Sequence, residues 1–197
     1  MNRYQANNVN SAHQNSGFTN QNAKYKDKNV KSKNKTYFIN ELPTKIKYEI
    51  ALIGRSNVGK SSLLNSILNE KTSRVSKKPG CTRWLGYYDF ENVTLIDLPG
   101  YGYANVSKKQ EALITVMVQK YILCGRIDEL WILIDSRRGI MGLDIELINF
   151  VVNNDIPVKI ISTKIDKKES KIIDANFRVS SKTKEGIHEI IDYIKHI

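Results

Sequence analysis

From Tyr48 onward, short β-branched or apolar runs alternate with longer stretches whose apolar residues recur every three to four positions. The short runs, at residues 48–53, 84–90, 93–97, 130–135, 158–162 and 177–179, predict six strands. Between them, Leu63, Leu64, Ile67 and Leu68 share one helical face, and Leu143, Leu147 and Val151 share another. Ile187, Ile190, Ile191 and Ile194 follow the i, i+3, i+4, i+7 rule. Ser107 followed by Gln110 predicts a capping box opening a helix that runs to about Cys124. Strand and helix in alternation predict an α/β fold, a mostly parallel six-stranded sheet with helices on both faces. The runs at 84–90 and 93–97 are separated only by Glu91 and Asn92, too few residues for a crossover helix. They should pair antiparallel, giving the sheet one antiparallel edge strand.

Residues 1–39 show neither period. They are rich in Asn, Gln, Ser and Lys, with seven basic residues against the single acid Asp27, a net +6. Such a segment buries too little to offset chain entropy and is expected to be a disordered basic tail, leaving residues 40–197 as one domain. A mobile basic arm could follow phosphates; a compositional bias without function would look the same. The whole chain has 197 residues and a net charge of +11, which nominates an anionic partner without identifying it. Two cysteines, Cys81 and Cys124, cannot make a disulfide framework and belong to no Cys/His cluster, so a reducing, cytoplasmic setting is expected. Apolar runs are only a few residues long and the first twenty residues lack a hydrophobic region, so neither a secretory signal nor a spanning helix is expected.

Residues Gly54-Arg55-Ser56-Asn57-Val58-Gly59-Lys60-Ser61 fit the pattern Gly-x-x-x-x-Gly-Lys-Ser/Thr, between a β-branched run and an apolar helical face. A loop in that place presents backbone N–H groups at a helix N-terminus, where they can surround phosphate oxygens. Gly54 and Gly59 permit the close approach; Lys60 would neutralise the β and γ phosphates; the Ser61 hydroxyl would ligate Mg²⁺, with Ser62 next to it. The bland alternative is a glycine-bearing strand-to-helix turn.

Asp97-Leu98-Pro99-Gly100 follows Lys60 by 37 residues, at the end of a hydrophobic run, and resembles the D-x-x-G element of P-loop GTPases. A carboxylate there can reach Mg²⁺ through water, and the Gly100 amide can sense a γ-phosphate. Thr163-Lys164-Ile165-Asp166 and Val179-Ser180-Ser181-Lys182 follow two further runs and look like base-recognition loops. The Asp166 carboxylate matches guanine N1–H and its 2-amino group, the Lys164 stem can pack on the base, and amides near Ser181 can meet O6. Each tetrapeptide alone is ordinary surface or turn; their order and strand-end placement resemble a P-loop GTPase domain of the TRAFAC class.

The remaining sequence resembles the EngB family (also called YsxC or YihA), small bacterial GTPases of large ribosomal subunit assembly. The resemblance covers roughly residues 40–197. It is carried by the cradle from Gly54 to Ser62, by Lys78-Pro79-Gly80-Cys81-Thr82-Arg83, by Asp97-Leu98-Pro99-Gly100-Tyr101-Gly102-Tyr103-Ala104, by Val106-Ser107-Lys108, by Ile156-Pro157 and by residues 163–166. It implies a P-loop GTPase fold, hydrolysis of GTP to GDP and phosphate, Mg²⁺, and nucleotide contacts from Pro79, Gly80, Cys81 and Thr82 as well as the loops above. Lys60, Thr82 and Gly100 are then the catalytic set, and Ser61, Thr82 and Asp97 the metal set. Tyr101 stands where many GTPases carry a water-orienting Gln, implying slow unaided hydrolysis. Asn57 resembles the asparagine that helps hold K⁺ in potassium-activated GTPases. Only thirteen residues separate Asp166 from Ser180, whereas the family usually inserts a helical segment there, so that helix should be short or missing.

The resemblance implies a monomer whose partner is the large ribosomal subunit or its precursor, through rRNA and ribosomal proteins. Arg74, Lys77, Lys78 and Arg83, with Lys108 and Lys109, put positive charge beside the two switches, which suits RNA phosphates. The rival is a signalling switch acting on a protein effector, for example in cell division and septation. Trp84, Tyr87 and Tyr88 lie on strands and read as packing residues, and Asp135 reads as a strand-end cap. No histidine joins a catalytic set.

Overall fold

The computed structural model describes residues 35–37, 42–69, 85–103 and 107–197. Seven strands and four helices follow in the order β1 (Lys35–Tyr37), β2 (Tyr48–Gly54), α1 (Lys60–Leu68), β3 (Leu85–Phe90), β4 (Val93–Asp97), α2 (Lys108–Ile122), β5 (Glu129–Asp135), α3 (Gly142–Val152), β6 (Val158–Thr163), β7 (Phe177–Val179) and α4 (Ile187–Lys195). They form one sheet in the order β1-β3-β4-β2-β5-β6-β7. All neighbours are parallel except β3–β4 and β1–β3.

The six expected strands and the antiparallel hairpin are present, and the sheet gains β1. Two expectations change with it. The segment 1–39, expected to stand apart as a tail, contributes residues 35–37 to the sheet, and β3 is therefore next to the edge rather than at it. Lys35-Thr36-Tyr37 has no hydrophobic alternation to read; it is held as a strand by main-chain pairing with Leu85, Gly86 and Tyr87, which covers an otherwise open edge. Residues 1–34 and 38–41 lie outside the described residues.

Strand alternation divides the core into two layers. Ile50, Leu52, Leu95, Trp131 and Leu133 face Leu63, Leu64 and Ile67 of α1 and Ile187, Ile190 and Ile194 of α4. Ala51, Ile53, Ile96, Leu130, Ile132 and Ile134 face Val118, Tyr121 and Ile122 of α2 and Val151 of α3. The period of two on the strands thus puts α1 and α4 on one face and α2 and α3 on the other. The α2 capping box is formed: Gln110 N–H donates to Ser107 Oγ, and the Ser107 N–H to Gln110 Oε1. Tyr87 and Tyr88 are buried, as their strand position implied.

The link from β6 to β7 contains no helix, as the short spacing implied. Asn176 replaces strand pairing there, its N–H donating to the Ile160 carbonyl at 2.9 Å and its side chain accepting from Ile160 N–H at 2.8 Å. Ile173, 8% exposed, plugs the sheet face that a helix would cover. At the opposite end of the sheet from the β2–α1 loop, buried Glu49 pairs with Arg126, whose guanidinium also donates to the Pro43 carbonyl at 2.7 Å. No helix among the described residues is long and apolar enough to cross a membrane.

Candidate functional site

The loop from β2 to α1 turns on Asn57 and Gly59, both left-handed at φ 62° and 113°. Gly59 is the residue that caps α1 and, lacking a side chain, makes no cap hydrogen bond to the first turn. Nor does that turn carry an acid. A helix start capped by glycine, with the positive end of the helix dipole behind it, is an arrangement suited to phosphate oxygens. Gly54 is required by packing, since a Cβ there would lie 2.8 Å from the Leu133 carbonyl oxygen and 2.9 Å from Val58 Cγ1.

Lys60 leaves the first turn of α1 and its ammonium pairs with the Asp97 carboxylate at the end of β4. Side-chain exposure is 12% for Lys60 and 4% for Asp97, so the pair is largely dry. Leu98, Pro99 and Gly100 are buried behind it, with Leu98 N–H donating to the Leu52 carbonyl at 3.0 Å. A Cβ on Gly100 would meet the Gly54 carbonyl oxygen at 2.8 Å, so only glycine lets this segment lie against the cradle. Ser61 is half-buried on α1, and Ser61 and Asp97 offer the hard oxygen donors that Mg²⁺ favours, so the residues present fit that ion.

The third motif is bonded to the first. The Thr163 hydroxyl lies 2.7 Å from the Val58 carbonyl oxygen and 3.1 Å from that of Ile134. Lys164, left-handed at φ 60°, donates to the Asn57 carbonyl and, at 2.9 Å, to the Asp135 carboxylate. A left-handed Lys costs backbone strain, and these bonds hold it there. Ile165 N–H donates to the Val179 carbonyl at 3.4 Å, and Ser180 Oγ donates to Asp166 Oδ1 at 2.8 Å, which joins the third motif to the fourth. The Ser180 hydrogen bond also holds the Asp166 carboxyl below its usual value, keeping it ionised with lone pairs left to accept further donors. Ser181 is half-buried and Lys182 exposed at the rim.

Four stretches far apart in sequence therefore meet at the C-terminal ends of the parallel strands, where open α/β sheets bind ligands. Pro79, Gly80, Cys81 and Thr82 lie outside the described residues, as do Trp84, Arg74, Lys77, Lys78 and Arg83. Lys108 and Lys109 are exposed at the start of α2.

Two residues of this region were not found from sequence in their working roles. Asp135 does cap its strand end, accepting from Arg137 N–H at 3.1 Å, but it also accepts from the Arg137 guanidinium and from Lys164. Burial alone would push this carboxyl up; the bonds from Arg137 and Lys164 overcome that and hold it well below the usual carboxylate range. Asp144, fully buried in the first turn of α3, accepts from Met141 N–H at 2.8 Å and from the Tyr101 hydroxyl at 2.5 Å. The one sequence signal for Asp144 is an acid in an otherwise apolar helix start.

Comparison with known proteins agrees with this geometry. Residues 49–164 match the family model of the 50S ribosome-binding GTPase. A probable GTP-binding protein EngB from Mycoplasmopsis agalactiae is 37% identical over 169 residues, covering 75% of this chain and 86% of the relative. One from Lactobacillus gasseri is 44% identical over 136 residues, covering 68% of each. Among solved structures, a probable GTP-binding protein engB superposes with a TM-score of 0.61 at 25% identity over 75% of this chain and 97% of the other. Aquifex aeolicus Era, solved with GDP and AlF4⁻, gives 0.58 at 26% over 77% of this chain and 57% of that one.

Proposed function

The chain belongs to the EngB family of GTP-binding proteins and is a GTPase, and on that premise we propose that it is a nucleotide-dependent switch assisting assembly of the large ribosomal subunit. GTP is held by the cradle from Gly54 to Ser62, with Lys60 on the β and γ phosphates and Gly100 at the γ end. Asp166 reads guanine, supported by Lys164 beneath the base and by the loop at Val179, Ser180, Ser181 and Lys182. Ser61, Asp97 and Thr82 would hold Mg²⁺, Asp97 through water, and the ion, when bound, would neutralise charge on the phosphates. Asn57 would be the residue to contribute to a K⁺ shell, as its resemblance to potassium-activated GTPases implies.

The observation that carries the reading is the joining of all four motifs by hydrogen bonds and the Lys60–Asp97 pair into one site. In this reading Lys60 would exchange Asp97 for phosphate oxygens when nucleotide enters, leaving the Asp97 carboxylate available to Mg²⁺. Unaided hydrolysis is slow, because the residue after Gly100, where many GTPases carry a water-orienting Gln, is Tyr101, whose hydroxyl is engaged by Asp144. The family model's name and the net charge of +11 support a ribosomal partner reached through RNA phosphates; the same reading makes the protein a cytoplasmic monomer. The test is co-sedimentation with large-subunit particles. Binding should require the GTP form and weaken as salt rises; no binding at low salt would favour a protein effector instead.

A further inference from the structure

Tyr101, the residue after Gly100, is fixed at both its main chain and its side chain. Its N–H donates to the Gly54 carbonyl at 3.2 Å, and its carbonyl accepts from Ser56 N–H at 2.9 Å, so Arg55 and Tyr101 form a parallel bridge between the cradle and the second switch. Its hydroxyl runs the other way, to Asp144 Oδ1, while Asp144 Oδ2 is occupied by Met141 N–H. Asp144 has no solvent exposure and forms no ion pair among the described residues. The Gly100 N–H, adjacent to these anchors, makes no main-chain hydrogen bond among the described residues.

We propose that Asp144 is a positioning residue for triphosphate recognition: through the Tyr101 hydroxyl it holds Gly100 against the cradle, so that the Gly100 amide is already placed for a γ-phosphate. The inference rests on the reading of this site as a GTP site. Its physical content is preorganisation. A hydroxyl donating to a buried carboxylate is a strong hydrogen bond, and leaving either partner alone in that interior is costly. Burial, and then the neighbouring Asp144, push the Tyr101 phenol well above its ordinary value, so at neutral pH it is a proton donor. Arg55, whose Nε is buried without a hydrogen-bond partner among the described residues, lies beside Gly102, the residue after Tyr101. A diphosphate has no γ-oxygen to meet Gly100 and gains nothing from this anchor; a triphosphate does. Differential affinity of that kind is what biases a switch.

The test measures GDP and β,γ-imido-GTP affinities by calorimetry on the full chain with Mg²⁺, for the wild type, Tyr101→Phe, Asp144→Asn and the double variant. Tyr101→Phe removes only the hydroxyl. It should leave the GDP affinity within about twofold while weakening the triphosphate analogue by about fivefold or more, in the range usual for coupled sites. Asp144→Asn, which keeps an acceptor for Met141 N–H but can meet the Tyr101 oxygen only as a neutral N–H donor, loses the charge-assisted bond; it should shift the ratio the same way, and the double variant should be no worse than the larger single effect. Equal losses for both nucleotides, an unchanged ratio with only a lower Tm, or additive effects would overturn the proposal. A wild-type chain that binds neither nucleotide would overturn it together with the GTP reading, whereas normal wild-type binding with an unmoved ratio overturns the positioning role alone.

Discussion

Lys164 reaches back across 107 positions of sequence to donate from its ammonium to the main-chain carbonyl of Asn57, and the same ammonium pairs with Asp135. The base-recognition loop and the phosphate cradle are thus one bonded unit. Lys164→Met keeps the stem and deletes the donors. It should weaken guanine nucleotide binding by about tenfold or more and cost about 1–3 kcal/mol of stability, read by calorimetry and urea denaturation. Unchanged affinity would mean that the link does not shape the site.

The Lys60–Asp97 pair makes a prediction for the protein without nucleotide. Lys60→Met leaves a carboxylate with 4% side-chain exposure lacking its counter-charge, and breaking a buried pair from one side costs about 3–5 kcal/mol. The variant should unfold at clearly lower urea concentration even with nucleotide removed, besides losing triphosphate binding. A loss confined to nucleotide binding would contradict the pairing.

Asp135 predicts an acid-side effect of defined sign. Its folded-state carboxyl is held below the ordinary value, so its contribution is fully present above about pH 4, where the unfolded group is also ionised. It is lost progressively as pH falls further. Asp135→Asn should be less stable than wild type at pH 7, by about 1–3 kcal/mol, and the gap should narrow between about pH 4 and pH 2. A gap that stays constant through that range would show that ionisation of Asp135 is not its source.

Arg126 separates folding from function. Its guanidinium pairs with Glu49, which is 2% exposed, at the end of the sheet away from the cradle. Arg126→Ala should cost about 3–5 kcal/mol in urea denaturation and leave GDP affinity within about twofold at temperatures where the variant is folded. A large affinity loss would show that the two ends of the sheet are coupled.

What the sequence made legible was whatever depends on local pattern. The six strand runs, the capping box at Ser107 and Gln110, and the fixed spacing from Gly54 to Ser61 each carry their information within a few residues. Strand β1 was not legible, because a three-residue edge strand is stabilised by its neighbour and not by its own alternation. Nor were the contacts of Asp135 with Lys164 and of Asp144 with Tyr101, which arise only once α3 and the β6–β7 loop are packed against the cradle. The four motifs could be read from order and spacing; the bonds among them required the fold.

The most direct measurement is calorimetric titration of the purified, folded chain with GDP, GTP and ATP in Mg²⁺ buffer. Saturable heats for both guanine nucleotides, with ATP weaker by at least about 100-fold as expected when a carboxylate reads the guanine edge, are the predicted result. No heat with either guanine nucleotide, or equal binding of ATP, would contradict the account at its base.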